Sequence, residues 1–271
     1  MKATRPSQTA AWIAATRAAL GVELPEGRKL CDDPYGMLFA GRSLPRPLAS
    51  LALRTWPVLR FTLWVQLRTR FLDDTLRSFV RNGGRQIVIL GAGFDCRALR
   101  FARELGGAAV FEVDHPATQR EKQAVLARAG LAPQHVRYVS MDFEQEATRE
   151  LPAKLAAAGH DPKQPTLTLW EGVTMYLTEP AIEATVAAVH AYCAPGSVFA
   201  FTYFDLPKMR RGGAMRLLSA LVRSQGEPWR FGWSPDVLPG WLEQRGFMLR
   251  ETPQRARPRP AISAPAVCGP Y

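Results

Sequence analysis

The stretch Gln86-Ile87-Val88-Ile89-Leu90-Gly91-Ala92-Gly93-Phe94-Asp95 reads as a short apolar strand running directly into a turn that carries two glycines. A run this uniformly apolar predicts a strand buried on both faces, as in a parallel sheet covered by helices on each side. Gly91 and Gly93 allow the backbone to turn sharply and to approach a ligand closely. Read alone, the loop also fits a tight structural turn. A dinucleotide site wants a third glycine to open the following helix beneath a pyrophosphate, and Cys96 stands there instead. A nicotinamide cofactor is therefore disfavoured.

Outward from this stretch the pattern repeats. Apolar runs at 86–90, 109–113, 136–140, 166–170 and 197–203 predict five strands with helical stretches between them, and 247–250 a sixth. Upstream the spacing is helical: Ser7 caps a helix that carries Trp12, Ile13, Thr16 and Leu20 and closes at Gly21, Asp32-Asp33-Pro34-Tyr35 marks a turn, and a longer helix over 57–80 stops at Asn82-Gly83-Gly84. The chain thus divides into an N-terminal helical extension (1–82), an α/β domain (83–251) and a Pro/Ala-rich tail (252–271) for which weak order is expected. Residues 205–233 are glycine-rich, basic and aromatic, with Met209, Met215, Trp229, Phe231 and Trp233. They read as an insertion after the fifth strand with the composition of a lid, and a helix over about 234–245 follows.

With 47% hydrophobic and 22% charged residues in 271, the composition is that of an ordered globular protein. The net charge of +11 is spread as singles and pairs, apart from Arg210-Arg211 and the alternation Arg255, Arg257, Arg259. No basic run is interleaved with aromatics, so nucleic-acid binding is not expected. The apolar region 48–71 is interrupted by Arg54, Arg60, Arg68 and Arg70 and cannot span a membrane. Cysteines 31, 96, 193 and 268 have neither metal-ligand nor disulfide-framework spacing, which fits a reducing compartment and no metal site. Arg17 breaks the apolar stretch after Lys2 and Arg5, so no signal peptide is expected and the chain is placed in the cytoplasm.

In an open parallel sheet, ligands bind beyond the carboxyl ends of the strands. Asp114 ends the second strand about 20 residues past the glycine loop, where a carboxylate can accept both hydroxyls of a ribose. A carboxylate at the start of a helix opened by Pro116 fits the same residue. Asp142 and Phe143 follow the third strand, a carboxylate and a ring able to address the amino edge and the face of an adenine. Glu171 follows the fourth. Buried after so apolar a strand, it needs a partner, either the ammonium of a bound amino-acid moiety or a helical arginine.

VILGAGFDCRALR, FEVDHPATQREK, SMDFEQE and LWEGVTMYLTEPAI resemble the successive motifs of the leucine carboxyl methyltransferase-like family, in the same order and at similar spacing. RTRFLDD, DDPYG and SQTAAWIAATRA are also similar to that family's upstream segments, so the resemblance covers about residues 7–250. It implies a class I methyltransferase: a Rossmann-like, mostly parallel α/β sheet with helices on both faces, using S-adenosyl-L-methionine. Position by position, it implies that Gly91 and Gly93 form the cofactor loop, Asp114 holds the ribose, Asp142 and Phe143 contact the adenine, Arg68 (or Arg70, two residues on) pairs with the cofactor carboxylate and Glu171 lies near its amino group. It places Tyr176 beside the substrate as the catalytic residue. At the C-terminus the sequence departs from the family: RARPRPAISAPAVCGPY is short and proline-rich, and AISAPAV is the stretch available for a last strand.

A carboxylate acceptor is already ionised at neutral pH and needs no base, whereas a hydroxyl generally does. Of the four histidines only His115 stands beside a motif, where it reads as a capping residue. Methylation of a small-molecule carboxylate is the favoured expectation, with hydroxyl methylation open, and natural-product biosynthesis is the expected setting. A nicotinamide-dependent oxidoreductase and a silent nucleotide-binding scaffold are the alternatives.

Overall fold

Seven strands form one sheet in the order β3-β2-β1-β4-β5-β7-β6. The computed structural model describes residues 8–19, 30–39, 56–144, 148–205, 228–251 and 264–270. Before the sheet come helices α1 (Gln8–Ala19), α2 (Gly36–Phe39) and the long α3 (Trp56–Arg81). The sheet region then runs β1 (Gln86–Leu90), α4 (Arg97–Arg100), α5 (Ala102–Leu105), β2 (Ala109–Asp114), α6 (Pro116–Arg128), β3 (Val136–Ser140), α7 (Leu151–Ala157), β4 (Thr166–Trp170), α8 (Glu179–Tyr192), β5 (Val198–Tyr203), α9 (Leu238–Glu243), β6 (Phe247–Glu251) and β7 (Ala264–Pro270). Strands β1 to β5 pair in parallel, and β7 lies antiparallel between β5 and β6.

Alternation along each strand divides its apolar side chains between two layers. Ile87 and Ile89 of β1, with Leu167 and Leu169 of β4, pack under Leu72, Leu76 and Phe79, which recur along one stripe of α3. Val88, Leu90 and Trp170 point to the opposite face, against Ile182, Val186 and Val189 of α8 and Leu238 and Leu242 of α9. Each such aliphatic or aromatic side chain taken out of water contributes roughly 1.5–3 kcal/mol. The continuous apolar runs of the sequence therefore mark strands with a packed layer on both sides.

The strand expectations agree closely with the structure, with β2 and β6 each one residue longer and β5 one shorter. The helix expected over 234–245 is confined to Leu238–Glu243. Ser7, Leu20, Gly21 and most of the insertion, including Met209 and Met215, lie outside the described residues.

In the tail, where the composition predicts weak order and AISAPAV (261–267) is the stretch available for a last strand, residues 264–270 form a strand with neighbours on both sides. Proline is ordinarily excluded from such a position because it cannot donate to the ladder. Here Pro265 pairs only with Thr202 of β5, and Pro270 only with Phe247 of β6. Each proline stands at the end of the strand where one neighbour has already ended, while Val267 and Cys268 between them pair on both sides. A chain cut after Ser263 should leave β5 and β6 unpaired along facing edges. It should unfold at markedly lower urea than the full chain and lose soluble yield; an unchanged urea midpoint would show that β7 is dispensable.

Candidate functional site

One cavity of about 280 Å³ opens at the carboxyl edge of the sheet, beneath α1 and beside α3. All eight residues singled out in the sequence line it: Arg68, Gly91, Gly93, Asp114, Asp142, Phe143, Glu171 and Tyr176. They arrive from α3 and from the ends of four strands, so the parallel sheet itself gathers them.

The glycine loop needs its glycines. Gly91 has φ +62°, and a Cβ there would lie 2.4 Å from a methyl of Val173; Gly93 has φ +49°. The loop then bends back to the end of β2, where Asp114 accepts hydrogen bonds from the backbone N–H of Gly93 and, at 2.5 Å, of His115. Burial holds the Asp114 carboxyl above its usual pKa, against the pull of these two amides. A carboxylate has about four lone-pair sites, so two amide bonds leave it able to accept further donors from the cavity.

His115 caps α6. Its Nδ1 accepts the N–H of Ala117 at 3.1 Å, while Nε2 lies 3.6 Å from Asp142. Asp142 also accepts the N–H of Glu144 at 3.0 Å, and the next residue, Phe143, is buried in the core while lining the cavity.

Glu171 lies between two arginines. Arg68 Nε donates to its Oε1 at 2.8 Å, and Arg97 Nη2 stands 2.7 Å from Oε2. Burial alone would raise the Glu171 pKa, but Arg97, Arg68 and then Arg17 hold it far below the usual carboxylate range. The ion pair with a helical arginine, one of the two readings open in the sequence, is thus present and doubled. Arg68 is the arginine that faces the cavity, its guanidinium 4.6 Å from the Trp64 ring; Arg70 is on the outer surface with Asp74.

Sequence reasoning assigned no role to Arg97, Asp95, Asp73 or Arg17. Arg97 is only 1% exposed and pairs with Asp73 of α3, Asp95 of the glycine loop and Glu171. Arg17 ties α1 to Asp33 at 2.9 Å and to the Phe94 carbonyl at 2.8 Å, and Asp33 in turn accepts N–H bonds that shape the turn before α2. The available signal was charged residues in segments whose neighbours are destined for the core, since buried charges require partners. Which residues are partners depends on contacts far apart in sequence.

Among the described lining residues, five carboxylates (Asp95, Asp114, Asp142, Glu144, Glu171) outnumber three arginines (Arg17, Arg68, Arg230). This acidic lining suits a ligand carrying a sulfonium and an ammonium, and the glycine cradle and Asp114 suit its nucleoside. No group of His, Cys, Asp and Glu suited to a metal ion occurs among the described residues, and none of their helices is long and apolar enough to cross a membrane.

Sheet order and antiparallel β7 define the class I methyltransferase fold, with the cavity at the carboxyl edge of the sheet, and the relatives named below make S-adenosylmethionine its cofactor. The leucine carboxyl methyltransferase family matches residues 10–190, and the chain belongs to that family. It is 34% identical over 245 residues to a protein of Streptomyces coelicolor and 32% identical over 257 residues to one of Frankia alni, both named as S-adenosyl-L-methionine-dependent methyltransferases. These alignments cover 88% and 92% of this chain and 82% and 85% of those proteins. The crystal structure of a DUF574-family protein from Streptomyces avermitilis superposes with TM-score 0.63 at 14% identity, covering 98% of each chain. One described as a methyltransferase from Thermobifida fusca gives TM-score 0.58 at 18% identity, covering 98% of this chain and 96% of that one.

Because the folded-state pKa of Glu171 is depressed, its pairing stabilises the protein above the ordinary glutamate pKa, and that contribution is lost as pH falls toward the depressed value. Glu171→Gln leaves Arg68 and Arg97 without this counter-charge and should cost about 3–5 kcal/mol at neutral pH. It should also flatten the loss of stability on acidification below about pH 4.5. Urea unfolding of the ligand-free protein at several pH values measures both, and a variant as stable as the parent at neutral pH would refute a structural role for the pair.

Proposed function

We propose that this methyltransferase transfers the methyl group to an oxygen of a small-molecule acceptor, with a carboxylate as the favoured class. The cofactor supplies a methyl group already activated by a positively charged sulfur, so the acceptor oxygen donates an electron pair to the methyl carbon while the carbon–sulfur pair returns to sulfur. The protein's task is to hold the two in line and exclude water.

What carries the carboxylate reading is the lack of a well-placed base among the described lining residues. His115 is their one imidazole, and its Nδ1 is engaged in capping α6 beside Asp142. Glu171, clamped by two arginines, has its pKa held low and is a poor proton acceptor. An acceptor that arrives ionised needs neither. In this reading Asp114 holds the ribose, Asp142 and Phe143 the adenine, and Arg68 and Glu171 the carboxylate and ammonium of the amino-acid end. Gly91 and Gly93 allow close backbone approach, and Tyr176 flanks the acceptor. A small acidic metabolite in the cytoplasm, as in natural-product tailoring, fits this site and the four unpaired thiols.

S-adenosylhomocysteine at ~100 times its dissociation constant should stabilise the protein by about 2.7 kcal/mol in a thermal shift, whereas NAD should leave it unchanged. Asp114→Ala should weaken S-adenosylhomocysteine about a hundredfold or more by calorimetry, since two charge-assisted hydrogen bonds are lost. Undiminished affinity would remove Asp114 from the ribose site.

With an acidic metabolite found by screening with labelled cofactor, saturated turnover should be nearly flat from about pH 6 to 9, because a carboxylate of pKa ~4 is ionised throughout. A steep rise near pH ~6.5, lost together with activity in His115→Ala, would instead establish base-assisted methylation of a hydroxyl.

A further inference from the structure

Beyond the ends of β4 and β5 the cavity has a second wall that the cofactor assignment leaves unused. Phe61 and Trp64 of α3 stand with ring centroids 5.5 Å apart, Trp64 and Phe204 6.2 Å apart, and Phe204 and Trp229 4.9 Å apart at 89°. All four line the cavity. Phe204 and Met175 are buried beneath, while Trp64, Tyr176 and Trp229 remain partly exposed against them. The wall is anchored where the chain returns from the insertion: the Arg230 N–H donates to the Met175 carbonyl at 2.7 Å, and the Arg230 guanidinium reaches Glu144 at 3.4 Å across the rim.

The two ends of the cavity differ in chemistry. Asp114, Asp142 and the glycine loop, at the ends of β1 to β3, present carboxylates and backbone to a hydroxyl-rich, positively charged ligand. The far end presents ring faces, and the arginine at its rim, Arg230, is set against Glu144. An apolar face left partly exposed inside a cavity, rather than closed over in the core, is a place for apolar surface brought by a ligand. Rings held edge to face also offer quadrupole complementarity that an alkyl chain cannot use, about 0.5–1.5 kcal/mol for each aromatic pair beyond the area buried.

We propose that this wall is the acceptor subsite and that the acceptor is a flat aromatic acid, its ring system seated against Trp64, Phe204 and Trp229 and its carboxylate directed toward Tyr176. The inference rests on the methyltransferase reading above and specifies its substrate class. Trp229 sets the specificity as a ring. Its Nε1 has no hydrogen-bond partner among the described residues, so replacement by Phe keeps an aromatic face and breaks no hydrogen bond among them.

The test is calorimetric titration of naphthoate and of decanoate, equal in charge and similar in carbon count, into protein saturated with S-adenosylhomocysteine. Naphthoate should bind about fivefold or more tightly than decanoate, the ratio expected from one or two aromatic pairs. Trp229→Ala should weaken naphthoate about tenfold with little effect on decanoate, Trp229→Phe should stay within about threefold of the parent, and S-adenosylhomocysteine should bind all three proteins alike. Decanoate binding as well as naphthoate to the parent protein overturns the aromatic assignment whatever the variants do. Equal loss in Trp229→Ala and Trp229→Phe also overturns it, by assigning the contact to the indole nitrogen. Normal S-adenosylhomocysteine binding with neither acid bound sinks this inference and leaves the cofactor reading standing; no S-adenosylhomocysteine binding removes both.

Discussion

Arg97 cannot lose its charge at any pH a protein meets, and it is almost wholly enclosed. Such a group is tolerated only if carboxylates reach it from several directions, because an unpaired buried cation costs several kcal/mol. Here they come from three separate parts of the chain: Asp73 from α3, Asp95 from the glycine loop and Glu171 from the end of β4. These counter-charges raise the Arg97 pKa well above its usual value despite the opposing effect of burial. Helix, loop and strand end are thereby held at fixed distances, and residues of all three segments line the cavity. Arg100 and Arg68 extend the pairing outward through Asp73 and Glu171.

This dependence explains why the site includes the N-terminal helices as well as the sheet. Arg17 binds α1 to the glycine loop through the Phe94 carbonyl, and Ala10 approaches so closely that a Cβ on Gly93 would stand 3.2 Å from its methyl. The helix lies over the loop as a roof. On the other side of the loop, Lys122 of α6 donates to the Asp95 carbonyl and to Glu112 of β2, each at 2.6 Å. The loop is thus braced from above, behind and below, which preorganises a site whose ligand is held mainly by hydrogen bonds and charge.

The electrostatics and the chemistry agree. A lining with more carboxylates than arginines favours a cofactor of net positive charge, and of these carboxylates Glu171 is committed to two guanidinium groups while Asp114 accepts two backbone amides. In the proposed reading, catalysis is a matter of alignment and of excluding water. The aromatic wall serves that end as well, since ring surface and the returning segment at 228–231 cover the far end of the cavity.

The local pattern of the sequence determined the strands, the glycine turn and the carboxylates at the strand ends, because each depends on neighbours within a few residues: apolar runs, positive-φ glycines, a helix opened by Pro116. Family-like motifs tied these to one cofactor. The tertiary structure alone decided three matters. It showed that Arg68 faces the cavity while Arg70 does not, which follows from their positions around α3. It turned the proline-rich tail into a paired strand, because each proline falls where one neighbouring strand has ended, a property of register that composition does not carry. And it gave Glu171 two arginines, one of them Arg97, whose burial arises only when α3, the glycine loop and β4 converge on the same guanidinium group.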